Sequence, residues 1–310
     1  MFDTLPCIWP ETNTSVELAV EVKAHTEVTL PLIIVSDLDG TLLDHETYGF
    51  DAALPALERL RRDRVPVVLC TSKTRAEVEP LRAMLGNEHP FIVENGGAVI
   101  VPHGYFSFDI GLAIGLERDE VRDGVVIIPL GDPYRELVAI LREASRDSGV
   151  GVRGFADMSD AEVAASTGLS VDDARLAKQR EFDEPFEVLD AGSAESVAAL
   201  AAAIARLGKR WTAGGRFHHI TGANDKAAAV RILADLYRRD LGDVTTIGLG
   251  DALNDVDFLR EVDRPVVIES PNAPEMARRV PGAVVTRHAG PAGWNEAVLE
   301  ILDARRVVAP

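Results

Sequence analysis

Short runs of Val, Ile and Leu, each ending where polar residues begin, recur along this chain between longer helical patterns. They are Leu32 to Ser36, Val65 to Cys70, Thr245 to Leu249 and Val266 to Ile268. Their alternation with helices is the rhythm of a parallel sheet covered by helices, so the expected class is α/β with a Rossmann-like core. In open α/β sheets the ligand lies beyond the carboxyl ends of the strands. The residues directly after these runs are therefore where chemistry is expected.

Charge narrows the partners. Asp and Glu number 50 against 32 Lys and Arg, a formal net charge of -18. Such a chain repels phosphate backbones and anionic lipids, which argues against nucleic acid and membrane partners. An anionic small substrate would need cations concentrated locally, or a divalent metal. With 310 residues and 46% hydrophobic content, the chain is long enough for one large domain or two ordinary ones. Its two cysteines are Cys7 and Cys70, and Cys70 ends a buried run, so no disulfide is expected. Met1 to Glu11 lacks the pattern of a secretory signal, and no apolar run approaches the ~20 residues that span a bilayer. The expectation is a soluble, cytoplasmic protein, with no signal for its oligomeric state.

Three stretches differ in texture. Across Val16 to His25 apolar residues alternate with a strand's period, setting residues 1–30 apart as an N-terminal extension whose role the sequence leaves open. Residues 110–213 carry their own helix signatures. Ser159 can cap Asp160 to Ser166, closed by Gly168; Ser170 can cap a helix through Lys178; Glu195 to Leu207 is an Ala-rich helix. The sheet pattern resumes at Arg216 to Ile220. This predicts a discontinuous core, 31–109 and 214–310, with 110–213 inserted as a second domain.

After the first run comes Asp37-Leu38-Asp39-Gly40-Thr41, two carboxylates on one side of an extended segment with a glycine at the turn. Close carboxylates repel unless a cation joins them. A calcium loop is a competing reading, but it wants a third acidic position before its glycine. After Thr245 to Leu249 comes Gly250-Asp251-Ala252-Leu253-Asn254-Asp255. Alone, these acids could be an N-cap and first-turn residues favoured by a helix dipole. Both clusters would meet at one sheet edge, and a metal site is the better account of the pair.

These two segments resemble the first and fourth motifs of the haloacid dehalogenase superfamily, over about residues 31 to 300. The resemblance implies a magnesium-dependent phosphatase. Asp37 would be the nucleophile and Asp39 the general acid and base, with Thr71 (or its neighbour Ser72) on the phosphoryl group and Lys226 neutralising charge. Mg2+ would be held by Asp37, the Asp39 carbonyl and Asp251, with Asp255 ordering the outer shell. Without the resemblance, Lys226 is a solvated first-turn lysine, and Thr74 with Glu77 is a capping box that needs no catalytic role.

The insert lies between the second and third motifs, where this superfamily places the α/β cap of its sugar-phosphate phosphatases. Gly154 to Ser159, Ala177 to Phe186, Gly214 to His218, Thr71 to Thr74 and Glu94 to Ala98 resemble mannosyl-3-phosphoglycerate phosphatases. That resemblance implies a small phosphorylated sugar-glycerate substrate. It offers Ser72, Lys73, Glu94, Asn95, Gly96, Gly97, Arg180, Arg216 and Asn254 as substrate-binding residues. Arg180 is the expected reader of the glycerate carboxylate, because a guanidinium fork matches a carboxylate. Asn95-Gly96 is also an ordinary hairpin turn, Arg180-Glu181 could be a surface ion pair, and His218 and His219 read as strand residues.

Overall fold

The computed structural model describes residues 30–115, 121–189, 194–213 and 217–308. The extension's alternating segment, Val16 to His25, lies outside the described residues. In chain order the strands are β1 (Leu32–Ser36), β2 (Val67–Cys70), β3 (Phe91–Val93), β4 (Ala98–Pro102), β5 (Val121–Arg122), β6 (Val125–Pro129) and β7 (Val152–Gly154). They continue with β8 (Asp183–Val188), β9 (Arg210–Ala213), β10 (His218–Thr221), β11 (Thr245–Gly250), β12 (Arg264–Glu269) and β13 (Val284–Ala289). Among the described residues they form a nine-stranded sheet, β13-β12-β11-β1-β2-β3-β4-β6-β5, and a four-stranded sheet, β7-β8-β10-β9.

The expected parallel sheet is present. Strands β13 to β3 of the larger sheet pair in parallel, whereas β4, β6 and β5 extend it antiparallel. β1 is buried along its whole length, as a strand covered by helices on both faces must be. Ile33 and Val35 pack into one cluster with Val230 and Leu233 of the helix Lys226–Leu241. Leu32 and Ile34 point the other way, toward Trp294 and Val298 of the C-terminal helix. β1 lies between β2, the next strand in the chain, and β11, which arrives more than two hundred residues later. That reversal of direction is the topological switch point, where neighbouring connections diverge and leave a crevice. The register pairs Ser36 with Leu249, so Asp37 and Asp251 both emerge at that crevice.

The four-stranded sheet is antiparallel throughout. One face packs on the helices Tyr134–Ser148 and Ala194–Arg206, where Phe186, Ile220 and Trp211 meet Leu137, Leu141 and Leu200. Ser159 and Ser170 cap their helices as expected, and Gly168 ends the first with φ 84°.

One strand goes elsewhere than expected. Of the run read as Arg216 to Ile220 and assigned to the core, His218 to Ile220 fall in β10, which pairs with β8 and β9 of the second sheet. Conversely, Val125–Pro129, placed inside the insert, remains in the larger sheet beside β4. A short apolar run shows that a strand exists but not which edge it joins. Here Val126 and Ile128 fill the same cluster as Ile33 and Val35, whereas Ile220 fills the cluster of the second sheet.

Candidate active site

The chain turns sharply directly after β1, because Gly40 adopts φ +78° and the Thr41 amide donates back to the Leu38 carbonyl. A Cβ at Gly40 would stand 2.5 Å from Asp251 Oδ2, so only glycine lets the two acidic segments approach this closely. Lys226 Nζ bridges them, 2.9 Å from Asp37 Oδ1 and 2.7 Å from Asp255 Oδ1. Asp255 is fully buried, and its other oxygen accepts from the amides of Asp251 (3.2 Å) and Ala252 (3.1 Å). Asp251 Oδ1 accepts from Thr41 Oγ1 at 3.0 Å.

The electrostatics are those of a crowded acidic pocket. Burial, and then repulsion from Asp255, push the Asp37 carboxyl well above its ordinary range, while Lys226 pulls the other way. Burial and Asp255 likewise raise Asp251 to about 6. Burial works against the charge of Lys226, but Asp255 and Asp37 outweigh it and hold the ammonium well above its usual value. One lysine cannot satisfy two buried carboxylates and a half-buried third. Ligand oxygens of Asp37, Asp251 and Asp255 lie within 4.8 Å of one another, an all-oxygen set that suits a hard divalent cation. Because both Asp255 oxygens are already engaged, Asp37 and Asp251 are the carboxylates with capacity left for an ion.

Asp39 has a lysine of its own. Its Oδ2 pairs with Lys73 Nζ at 2.9 Å, and its buried Oδ1 has no hydrogen-bond partner. Lys73 also stacks over the Tyr48 ring, 5.0 Å from its centroid. Thr71, directly after β2, is buried, and its hydroxyl oxygen accepts from the Lys73 amide, leaving its proton free to donate. The Asp37 peptide has a support that sequence reasoning missed: Trp294 Nε1 donates to Ser36 Oγ at 2.9 Å, and Ser36 Oγ donates to the Asp37 carbonyl at 2.7 Å. Nothing in a serine and a distant tryptophan signals such a chain.

A cleft of about 840 Å³ opens beside these residues. Lys226, Ser72, Asn95 and Asn254 lie on its wall, and Asn254 Nδ2 donates to Asn95 Oδ1 at 3.2 Å. The Glu94-Asn95-Gly96 segment is the turn joining β3 to β4, with positive φ at all three, and of these Asn95 lies on the cleft wall. Other expected binding residues stand behind the wall. Glu94 accepts from the amides of Glu181 and Phe182, which tie the two sheets together, and burial first of all raises it to about 7. Cβ atoms at Gly96 and Gly97 would collide with Asp225 backbone and with Phe182, so these glycines serve close approach. Arg180 is also displaced from the cleft: its Nη1 donates to the Ser72 carbonyl at 3.0 Å and lies 3.4 Å from Asp183. Arg216, the other arginine expected to bind substrate, lies outside the described residues.

These features, an aspartate directly after a strand at the switch point with a lysine and a carboxylate set beside it, are those of a haloacid dehalogenase-like hydrolase. The family so described matches residues 34–122. Solved structures agree on the fold: a haloacid dehalogenase-like hydrolase from Bacteroides thetaiotaomicron superimposes with TM-score 0.59 at 17% identity, covering 87% of this chain and 99% of that one. A Thermoplasma acidophilum protein gives 0.57 at 18% identity, over 89% and 98%. Relatives in sequence are closer. The glucosyl-3-phosphoglycerate/mannosyl-3-phosphoglycerate phosphatase of Methanococcoides burtonii is 40% identical over 276 residues, 87% of this chain and 97% of that one. The enzyme of the same name from Persephonella marina is 40% identical over 274 residues, 88% and 97%. The chain belongs to this family of phosphatases. Among the described residues no helix is long and apolar enough to cross a membrane.

Proposed function

We propose that this phosphatase hydrolyses mannosyl-3-phosphoglycerate to mannosylglycerate, a compatible solute, and phosphate, with the glucosyl analogue as the nearest alternative. The relatives' names cover both sugars, and one inverted hydroxyl leaves no mark on the acidic site. The observation that carries the mechanism is Lys226 held between Asp37 and Asp255 at the switch point, with Asp251 alongside. We place the reaction in the cytoplasm, where Cys70 stays a buried free thiol.

The leaving group is an alcohol, so unaided hydrolysis is extremely slow and the site must supply both a nucleophile and a proton. Asp37 attacks phosphorus, its carboxylate forming a bond to the phosphoryl group as the ester oxygen departs, which gives an aspartyl phosphate. Asp39 gives its proton to the departing alkoxide through the unpartnered Oδ1, then takes one from the water that cleaves the acyl phosphate. Lys73 holds the carboxyl in place between these roles. Lys226 and the Thr71 hydroxyl offset charge on the phosphoryl oxygens. Asp37, the Asp39 carbonyl and Asp251 would hold Mg2+, with Asp255 in the outer layer, and the ion supplies Lewis-acid stabilisation of the phosphoryl charge. The segment 131–221, carrying the second sheet, is the cap that covers the cleft and selects the substrate.

The test is phosphate release from mannosyl- and glucosyl-3-phosphoglycerate, sucrose 6-phosphate and hexose phosphates, with Mg2+ or with chelator. Release from the glycerate esters above all others, lost with chelator and in Asp37→Asn, is the expected result. Asp37→Asn turnover near wild type would refute the nucleophile. Transfer without free phosphate would make the enzyme a mutase, and binding without turnover a sensor.

A further inference from the structure

The cleft wall opposite the acidic site is formed by the second sheet, and its chemistry differs from that of the core. Strand periodicity sends Trp211, Phe186 and Ile220 to the helix-packed face. The alternate positions, Arg210 and Thr212 of β9 and His219 and Thr221 of β10, line the cleft. Register places Arg210 opposite Thr221 and Thr212 opposite His219, so the four form one patch. His219 is oriented from behind: its Nδ1 bonds to fully buried Asp183 at 2.9 Å, which leaves Nε2 for the cleft.

Among the described residues on this wall, the permanent cations are Lys226 and Arg210. Lys226 is committed to Asp37 and Asp255. Arg210 spends one N–H on the Asn224 carbonyl, at 3.3 Å, and its side chain is otherwise turned to the cleft. Asn224 lies two residues before Lys226, and Arg210, Asn224 and Lys226 line one cleft. In a 3-phosphoglycerate ester the phosphate and the carboxylate are separated by a short two-carbon unit. A cation that lines the same cleft as Lys226 can meet that carboxylate while the lysine faces the phosphate.

We propose that Arg210 binds the substrate's carboxylate, and that Thr212 and His219 beside it receive sugar hydroxyls. The assignment rests on the sugar-phosphoglycerate reading above, and it replaces Arg180 as the carboxylate reader. Arg180 is spent on the Ser72 carbonyl and Asp183, the same Asp183 that orients His219. Arg210 is therefore a specificity residue, and Arg180 positions the wall from which it acts.

The experiment uses two commercially simple ligands that differ in one group: 3-phosphoglycerate, and glycerol 3-phosphate, which has a hydroxymethyl in place of the carboxylate. Calorimetric titration in Mg2+ of wild type, Arg210→Met and Arg210→Lys gives three preference ratios. Wild type should favour 3-phosphoglycerate by about 10- to 100-fold, the scale of a charged hydrogen bond. Arg210→Met should collapse that ratio toward one by weakening 3-phosphoglycerate, and Arg210→Lys should restore part of it. A wild type without preference, or an Arg210→Met that weakens both ligands by one factor, overturns the assignment. Phosphate release from the glycosylated esters is measured separately, so failure of the substrate reading shows there and not in these ratios.

Discussion

Asp251→Asn should make the metal-free enzyme more stable at neutral pH while destroying its response to magnesium. Burial and Asp255 raise the Asp251 carboxyl from 3.8 to about 6, so the folded protein binds this proton more tightly than the unfolded chain. Between those two values the native state is protonated and the unfolded state is not. Stability therefore falls as pH rises through the window and stays low above about 6. A shift of two units corresponds to ~3 kcal/mol, which solvent screening of a half-buried side chain reduces to roughly 1 to 2 kcal/mol. Asparagine has no charge to lose and can still accept from Thr41 through its amide oxygen. In chelator at pH 7 the variant should melt about 2 to 5 °C above wild type, and the gap should close toward pH 4. Magnesium at a hundred times its Kd should then add about 2.7 kcal/mol to wild type and almost nothing to the variant. Thermal unfolding from pH 4 to 8, with Mg2+ or with chelator, reads both effects. A metal-free variant less stable than wild type at pH 7, or one stabilised by magnesium equally, refutes the reasoning.

Two further outcomes follow from the buried network. Lys226→Met leaves Asp37 and Asp255 buried together with no cation, and should cost about 3 to 5 kcal/mol in urea unfolding; a loss below 1 kcal/mol would mean the pair had already shed its charge. Arg180→Ala removes the contacts to Ser72 and Asp183 that join the sheets. It should lower kcat/KM by a similar factor on a sugar-phosphoglycerate and on an aryl phosphate, and a loss confined to the first would return the carboxylate to Arg180.

Much of the fold and of the acidic site was readable because it rests on local signals. A fully buried strand needs an unbroken apolar run, and acids just past its end have a position fixed by topology alone. Asp37, Asp251 and Asp255 came together through that logic, and Lys226 through motif order. Partner choice between strands was not readable. The strand at His218–Thr221 carries the same kind of pattern whether it joins one sheet or the other, and only the cluster around Ile220 decides. The placement of Arg180 was unreadable for a related reason: sequence shows a cation near a turn but not that a buried Asp183 lies 3.4 Å from it. Nothing in Lys209-Arg210-Trp211 marks that Arg210 lines the cleft while Trp211 packs on the helices.

Net charge gives the site its character. A chain at -18 presents a repulsive field to any phosphorylated carboxylate, and a uniform scatter of lysines could not overcome it. The structure instead places its cations where they count. Lys226 is buried against two carboxylates that keep it charged, Lys73 is fixed between Asp39 and Tyr48, and Arg210 hangs from a backbone carbonyl at the cleft rim. Each is held by a different element, so the cationic patch exists only when the second sheet is seated over the first. Glu94 provides that seating, since its carboxylate accepts from the Glu181 and Phe182 amides while its own carbonyl accepts from Asn224 Nδ2. Asn224 is also the residue that moors Arg210. On the proposed reading, selectivity for an anion and closure of the two sheets rest on the same set of hydrogen bonds, which would let an acidic enzyme bind a ligand with two anionic groups without a basic surface.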